Sequence, residues 1–322
     1  MENFKAMENM KRLETLCIAG AVAVLAVSCG KEEAVREDGA SKVGFTAAEL
    51  QVKTVFGEKA DGEYPVLWTS NEKVALFYNS QTGGQTGGGQ YADVLPSADG
   101  HTAGFSASFT DDGNGSHSFY AMSPLSALNW MGNEDWDENG VNEKILYANI
   151  PHNQIPVPGT CDEKAQIVFA KEEFSEFPDK VDLTFSHMTA YGLITSLSLP
   201  EEATEIVGLT IESDKFLSGE IYCNYNTPET ILCNAKKAQK YIYLDVNNGG
   251  LKAKTLENVF FACTPQTDGN DVFGEGDYLK FTVYTDTDTW VKTVNFSADR
   301  TLAFKAGRIS SFSVSAHGFE KQ

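Results

Sequence analysis

The sequence predicts an all-β fold of the sandwich type. Almost every periodic segment alternates apolar and polar residues with a period of two, which is the pattern of a strand with one buried face. Turn residues separate these segments at spacings of about ten residues, a rhythm typical of β-sandwiches. Only two short windows, Asp162–Phe174 and Asn234–Lys240, have a helical pattern. The fold is therefore expected to consist of sheets with very little helix.

The predicted strands follow one another along most of the chain. Each is a short run in which alternate side chains are apolar, and turn residues separate the runs. In chain order they are Lys42–Leu50, Val66–Trp68, Val74–Tyr78, Gly104–Phe109, Ser116–Met122, Val181–Phe185, Leu193–Leu199, Ile206–Ile211, Gly219–Tyr225, Tyr241–Val246, Val259–Cys263, Tyr278–Tyr284, Val291–Phe296 and Ile309–Val314.

The length of 322 residues suggests two domains after a leader and a linker. Residues 1–28 are predicted to be a signal peptide and residues 29–41 a polar, flexible tether. The break at Pro178–Lys180 places the domain boundary there, with an N-terminal domain over 42–179 and a C-terminal domain over 180–322. A net charge of −20 argues against nucleic acid as a partner, since phosphate binding needs clustered Lys and Arg.

The N-terminal run has the parts of an export signal. Lys11 and Arg12 precede about 12 apolar residues, Leu16–Val27, which is too short a run to span a bilayer. Small residues then stand directly before Cys29, and this pattern resembles a lipobox, which implies lipidation of Cys29. An ordinary secretory signal cut near Ser28 is the alternative. The following Lys-Glu-Glu resembles the tag that sends Bacteroidota lipoproteins to the outer leaflet, although a solvated charged tether has the same composition.

Signatures of catalysis are absent from the sequence. None of the five histidines lies in a His-Glu-x-x-His motif, and there is no Gly-x-Ser-x-Gly elbow. Ser116 and His117 are neighbours on a predicted strand, so they point to opposite faces and cannot form a nucleophile–base pair. His187 shares a face with Leu183 and Phe185, which favours a buried, hydrogen-bonded structural role. We therefore predict that the protein is not an enzyme and uses no cofactor.

An acidic and aromatic segment, Asn129–Asn142, is predicted to be a loop. Asp135, Asp137 and Asn139, followed by Gly140, match the first half of a calcium-binding loop, but Leu146 stands where the bidentate acid is required. A solvated loop tip is the favoured interpretation, and no metal is expected. Trp130 and Trp136 in the same segment suggest a contact loop instead.

Four cysteines remain in the predicted mature chain besides Cys29, and they lack zinc-type spacing. Cys223 and Cys233 lie symmetrically about Pro228. A hairpin there would allow a disulfide across two strands, but two buried free thiols are the favoured interpretation.

Several short pieces, taken in their order and spacing, resemble the fimbrillin (type V pilin) family of Bacteroidota. The family's first strand is resembled by Val43–Ala47, and its tryptophan hairpin by Val66–Tyr78. The core strand that follows is resembled by Ser118–Pro124, and the Ile-Pro-x-x-Gln step by Ile150–Gln154. The strand that opens the second domain is resembled by Leu183–Gly192.

The resemblance implies two tandem transthyretin-like β-sandwich domains, a lipidated precursor and polymerisation by strand exchange. In the family, a surface protease of trypsin type removes the first strand of the precursor. The corresponding strand here is Lys42–Val52, with the cut near Lys53 and Thr54, where major pilins have arginine. A cut at Arg36 is the alternative, and it would release the lipid while keeping the strand.

The resemblance also implies a donor strand. Phe312, Val314 and Ala316 alternate with serines in Ser310–Ala316, which suits a segment that fills another subunit's groove. The same pattern equally suits a permanent strand of its own sandwich.

The resulting functional hypothesis is a fimbrial subunit or fimbrillin-like cell-surface adhesin, exposed at the outer membrane or in a fimbrium. Its expected partners are other pilin subunits, the outer membrane through a lipid anchor, and a host or bacterial surface ligand. A surface glycan-binding lipoprotein is the alternative. Stalk, anchor and tip roles all remain open.

Overall fold

The computed structural model describes residues 40–47, 55–56, 66–70, 73–79, 83–84, 89–113, 115–134, 143–228, 230–266, 272–299 and 301–322. All of them belong to one compact unit, residues 39–322. The predicted all-β class is confirmed, because these residues form strands and two single-turn 3-10 helices, Leu125–Ala127 and Glu163–Ala165. In the described part of the chain, no helix is long and apolar enough to cross a membrane.

The strands are numbered in chain order. Those up to residue 187 are β1 Ala40–Ala47, β2 Val55–Phe56, β3 Val66–Leu67, β4 Lys73–Tyr78, β5 Gly83–Gly84, β6 Gln90–Asp93, β7 Leu95–Pro96, β8 Ala103–Thr110, β9 His117–Ser123, β10 Leu128–Glu134, β11 Glu143–Ile150, β12 Asn153–Gln154, β13 Val168–Phe174, β14 Lys180–Leu183 and β15 Phe185–His187. Those that follow are β16 Ala190–Ser198, β17 Ile206–Ser213, β18 Ser218–Asn224, β19 Leu232–Gln239, β20 Tyr241–Leu244, β21 Thr255–Cys263, β22 Tyr278–Thr285, β23 Thr289–Asn295, β24 Ile309–Val314 and β25 Glu320–Lys321.

Three stacked sheets contain most of the strands from the first half of the chain. The first sheet has the order β14-β1-β8-β7, the middle sheet β15-β13-β9-β4-β6, and the outer sheet β19-β18-β11-β10-β5. One apolar core lies between the first and middle sheets, and a second lies between the middle and outer sheets. The middle sheet is thus covered on both faces, which explains why every residue of Val74–Tyr78 in β4 is buried.

A second sandwich is formed by the later strands. Its sheets have the orders β12-β20-β17-β22-β23-β25 and β21-β16-β24, and they enclose one large core. Strand β14 lies just beyond the predicted domain limit at residue 179, and it pairs with β1. Strand β18 likewise pairs with β11 across the predicted boundary. The predicted domain limits stay a prediction.

The helical pattern of the two windows was misleading, and neither segment forms an α-helix. Asp162–Phe174 contains only a single 3-10 turn before β13, and Asn234–Lys240 lies almost wholly within β19. Strand β13 pairs with β9 and β15, and β19 pairs with β18. These long-range backbone hydrogen bonds override a weak local helical tendency.

Candidate functional site

The first strand lies in the interior of its sheet. β1 pairs antiparallel with β8 on one side and parallel with β14 on the other. Phe45, for example, stands opposite Phe105 on β8 and Val181 on β14. Because both edges of β1 are paired, its removal would leave unpaired backbone groups on two neighbouring strands.

Alternate side chains of β1 enter the first core. Val43, Phe45 and Ala47 are 0%, 2% and 1% exposed. The ring of Phe45 stacks on Phe105 with centroids 5.8 Å apart, and its edge contacts Phe119 at 5.7 Å. Burying a large apolar side chain contributes roughly 1.5–3 kcal/mol, so this face supplies much of the stability of β1 in the sheet.

Exposed polar contacts hold the β14 side of the strand. The Thr46 hydroxyl donates to the Asp182 carboxylate, and Lys180 Nζ lies 2.8 Å from the same carboxylate. The pKa of Asp182 is lowered, first by its hydrogen bond with Lys180 and then by that with Thr46. Exposed ion pairs contribute little to stability, so burial and backbone pairing are the main attachments of β1.

The predicted processing and lipidation residues lie outside the described residues. This holds for Cys29, Arg36, Lys53 and Thr54. Their roles stay predictions.

The predicted donor strand belongs to its own sandwich in this structure. β24 pairs parallel with β16 at the edge of its three-stranded sheet. Val314 is buried, and the ring of Phe312 lies 6.3 Å from Phe261 and 6.1 Å from Phe281. Ala316 follows the strand and is half-buried. The donor role stays a prediction. Within the described residues, β24 pairs with β16 alone.

The predicted contact loop starts later than expected. Trp130 lies within β10, where it pairs with Tyr147 of β11, so it is a strand residue and not a loop residue. Trp136 and the calcium candidates Asp135, Asp137 and Asn139 lie outside the described residues.

Asp111, Asp112 and His117 bring metal-ligand atoms within 4.8 Å of one another in the described part of the chain. The Tyr78 hydroxyl lies 2.7 Å from His117 Nδ1 and 3.1 Å from Asp112 Oδ1. Burial is the main cause that raises the pKa of Tyr78 to about 12. These hydrogen bonds give the group a structural role, since they tie the turn after β8 to the end of β4.

His187 is hydrogen-bonded as expected, with Nδ1 2.9 Å from the Tyr191 hydroxyl, although its side chain is only half-buried. The cysteines at 161, 223, 233 and 263 are reduced in the structure. Cys233 stands opposite Ile221 in the β18–β19 pairing, so the two cysteines of the predicted hairpin are not directly opposite each other.

The sequence predicted a strand at Val181–Phe185 but did not place it beside the first strand. Val181 and Leu183 are buried in the same core as Phe45. Their alternation is visible in the sequence, but no local signal shows that they lie beside a strand more than 130 positions earlier.

No family model matches the chain, and no curated protein matches it. Among solved structures, it is similar to a candidate cell adhesion protein from Bacteroides uniformis, with 14% identity, 88% of this chain and 97% of that chain covered, and a TM-score of 0.47. It is also similar to a candidate cell adhesion protein from Bacteroides ovatus, with 13% identity and a TM-score of 0.47, and the match covers 87% of this chain and 95% of that chain. A third similar structure is a fimbrial assembly protein from Parabacteroides distasonis, with 11% identity and a TM-score of 0.38, and the match covers 88% of this chain and 94% of that chain. Similarity at this level does not determine function, so the function has to be inferred from the site.

Proposed function

We propose that the protein is a fimbrial subunit or related cell-surface adhesin, exported as a lipoprotein and assembled by exchange of strands between subunits. The observation that carries the proposal is the position of β1, an N-terminal strand that is buried in the first core and paired on both edges. A strand that replaces it needs apolar side chains at alternate positions and backbone groups that pair on both edges.

Loss of β1 would create a slot with two kinds of binding group. The facing edges of β8 and β14 would offer unpaired backbone N–H and C=O groups, while the core would expose the rings of Phe105 and Phe119. An extended segment from another subunit satisfies both, because its backbone pairs with the edges and its alternate side chains fill the core.

The C-terminal strand has a pattern that fits this slot. Val43-x-Phe45-x-Ala47 and Phe312-x-Val314-x-Ala316 each place one Phe, one Val and one Ala at alternate positions, with Gly, Ser or Thr between them. The order of Phe and Val differs, so the donor would have to seat its aromatic ring two positions from the present place of Phe45 or slide by one pair.

The exchange is also reasonable in terms of backbone pairing. Among the described strands, β24 has one neighbour in its own sheet, whereas a strand in the β1 slot has two. A donor that leaves the edge of its own sandwich therefore gains a second ladder of hydrogen bonds. The cost is the exposure of Phe261 and Phe281 that its departure causes.

The remaining parts of the proposal concern location and partners. Lipidation of Cys29 would anchor the precursor in the outer membrane until assembly. The partners would be other subunits of the same fimbrium and a ligand on a host or bacterial surface. The net charge of −20 speaks against nucleic acid.

The first test is the mature N-terminus of protein released from the cell surface, measured by mass spectrometry. A start at Thr54 is expected for a subunit that has lost β1 and polymerises. A lipidated Cys29 followed by an intact first strand would instead indicate an anchor or a monomeric lipoprotein, and it would contradict the stalk role.

A second test asks whether the slot accepts the donor. Purified protein is cut with trypsin, the first strand is removed, and a synthetic peptide of residues 308–317 is added. The wild-type peptide is expected to raise the melting temperature, and a peptide with Phe312→Asp is expected to have no effect. Equal effects of the two peptides, or none from either, would contradict strand exchange through this segment.

A further inference from the structure

An aromatic row crosses the outer sheet on the face that points away from the second core. Trp130 of β10, Tyr147 of β11 and Tyr222 of β18 stand directly opposite one another in the strand pairing. Their ring centroids are separated by 6.1 Å and 5.7 Å. All three side chains are partly exposed, whereas the next residues Met131 and Leu146 are buried in the core.

A buried acid lies beside this row. Glu220 is two residues before Tyr222, so it lies on the same face of β18, and it is only 3% exposed. Three side chains donate hydrogen bonds to its carboxylate: Asn129 Nδ2 at 2.7 Å, Asn234 Nδ2 at 2.8 Å and Lys237 Nζ at 3.0 Å. We call these four residues the Glu220 cluster.

Two irregularities of the backbone assemble the cluster. The register of β10 against β11 shifts between Leu128 and Trp130, and this bulge lets Asn129 reach Glu220 while Trp130 joins the aromatic row. The pairing of β18 with β19 shifts between Gly219 and Ile221. Bulges of this kind re-aim side chains and are common next to functional sites.

Gly219 makes the second irregularity possible. Its φ of +98° is disfavoured for residues with a side chain, and a Cβ there would lie 2.5 Å from the carbonyl oxygen of Lys237. The close approach of the two strands at this point lets Asn234 and Lys237 reach the Glu220 carboxylate.

We propose that the aromatic row and the Glu220 cluster form a binding site for an uncharged oligosaccharide. A pyranose ring has an apolar face of C–H bonds that packs on aromatic rings and an edge of hydroxyl groups that needs donors and acceptors. The aromatic row supplies a surface on which the apolar face of the sugar packs. The amides of Asn129 and Asn234 supply hydrogen-bonding groups for the hydroxyls, since each amide that donates one N–H keeps further hydrogen-bonding capacity. This proposal is independent of strand exchange.

The charges favour a neutral ligand over an acidic one. Lys237 neutralises Glu220 within the cluster, and the row contains no charged side chain. The chain as a whole carries −20, which repels nucleic acid, acidic polysaccharide and anionic lipid. The fixed positions of the three donors around Glu220 also reduce the ordering cost of binding a ligand with several hydroxyl groups.

The test is native affinity electrophoresis of residues 30–322 in gels that contain one neutral polysaccharide each: β-1,3-glucan, xylan, mannan, galactan or starch. At least one gel is expected to retard the wild-type protein relative to a gel without polysaccharide. Tyr147→Ala and Glu220→Gln are expected to weaken this retardation about tenfold, which corresponds to the loss of one good contact. Tyr147→Phe, which keeps the ring, is expected to retain most of it.

The matched control is Tyr284→Ala. Tyr284 pairs with Tyr243 at the same 6.1 Å, both are partly exposed, and they lie in another sheet. This variant is expected to bind like the wild type. Circular dichroism melts of every variant separate loss of binding from loss of folding.

Three results would overturn the proposal. The first is a folded wild-type protein that none of the neutral polysaccharides retards, and the second is equal retardation of the wild type and Tyr147→Ala. The third is self-association that occurs without polysaccharide and disappears in Tyr147→Ala, which would assign the row to a contact between copies of the chain.

Discussion

The ring of Phe45 lies parallel to that of Phe105, with 10° between the ring planes and 5.8 Å between the centroids. These two residues stand opposite each other on β1 and β8. The pair therefore joins β1, which would be lost in strand exchange, to β8, which would remain. Substituting Phe45 is the most direct way to test how strongly the first strand is held.

Phe45→Ala is expected to lower the free energy of unfolding by about 3–5 kcal/mol, because it removes a fully buried ring and leaves a cavity. Urea denaturation of the uncleaved chain measures the change. Ser106→Ala on the exposed face of β8 is the control, and it should stay within about 0.5 kcal/mol of the wild type. A loss below 1 kcal/mol in Phe45→Ala would show that β1 contributes little to the first core.

Gln154 offers a second test, inside the segment that resembles the Ile-Pro-x-x-Gln step. Its fully buried amide donates to the Ala262 carbonyl at 2.7 Å and accepts from the Ala262 N–H at 2.9 Å. Gln154→Met keeps the size but leaves both backbone groups of Ala262 without this partner. We expect a loss of about 2–4 kcal/mol in urea denaturation. A loss under 1 kcal/mol would mean that other groups replace the amide.

The stability of the protein is expected to fall as pH rises from 10 toward 12. Burial, and then the neighbouring Tyr120, raises the pKa of Tyr225 to about 12, against 10.0 in the unfolded chain. The unfolded state therefore loses this proton first, and the stabilisation present below pH 10 disappears as pH passes through about 12. Denaturation at pH 9 and pH 11 should show a smaller drop for Tyr225→Phe than for the wild type. Between pH 6 and 8 the two curves should run in parallel.

Thiol reactivity tests the cysteine assignment. Cys233 is half-buried, while Cys161, Cys223 and Cys263 are buried, and burial raises the pKa of Cys263 well above its usual value. Iodoacetamide applied to native protein at neutral pH should modify Cys233 first, with the other three reacting only after unfolding. Peptide mapping by mass spectrometry identifies the modified residues. Detection of a peptide that links Cys223 and Cys233 through a disulfide would contradict the reduced state of these cysteines.

Gly219→Ala tests the irregularity beside Glu220. Ala would have to adopt a φ of +98° and would meet the Lys237 carbonyl, so thermal melts should show a clear destabilisation. Gly113→Ala is matched for positive φ, at +73°, but a Cβ there meets nothing within 4 Å. It should cost only the conformational penalty of about 1 kcal/mol. Equal losses in the two variants would show that the close approach to Lys237 does not constrain the fold.

The period-two pattern was enough to identify strands and to assign their faces. Val43, Phe45 and Ala47 alternate in the sequence, and all three are buried. The same holds for Phe105 and Phe109 of β8. This succeeds because successive side chains of a strand point to opposite faces, so hydrophobic alternation records which face meets the core.

The sequence pattern gave wrong predictions where pairing with a neighbouring strand determines the secondary structure. Asn234–Lys240 has helical spacing, yet it forms a strand because β18 lies beside it. Trp130 reads as part of an acidic loop, yet it pairs with Tyr147 in a sheet. Every strand offers the same backbone donors and acceptors, so the sequence of one strand does not specify its partner.

The sequence by itself therefore determined the all-β class and the alternation of most strands. Only the tertiary structure decided that β1 lies between β8 and β14, and that Asn129 reaches Glu220 across 91 positions. The physical reason is the range of the interactions. Side-chain alternation is a local property, whereas strand order and a shared buried carboxylate depend on segments that meet only after the chain has folded.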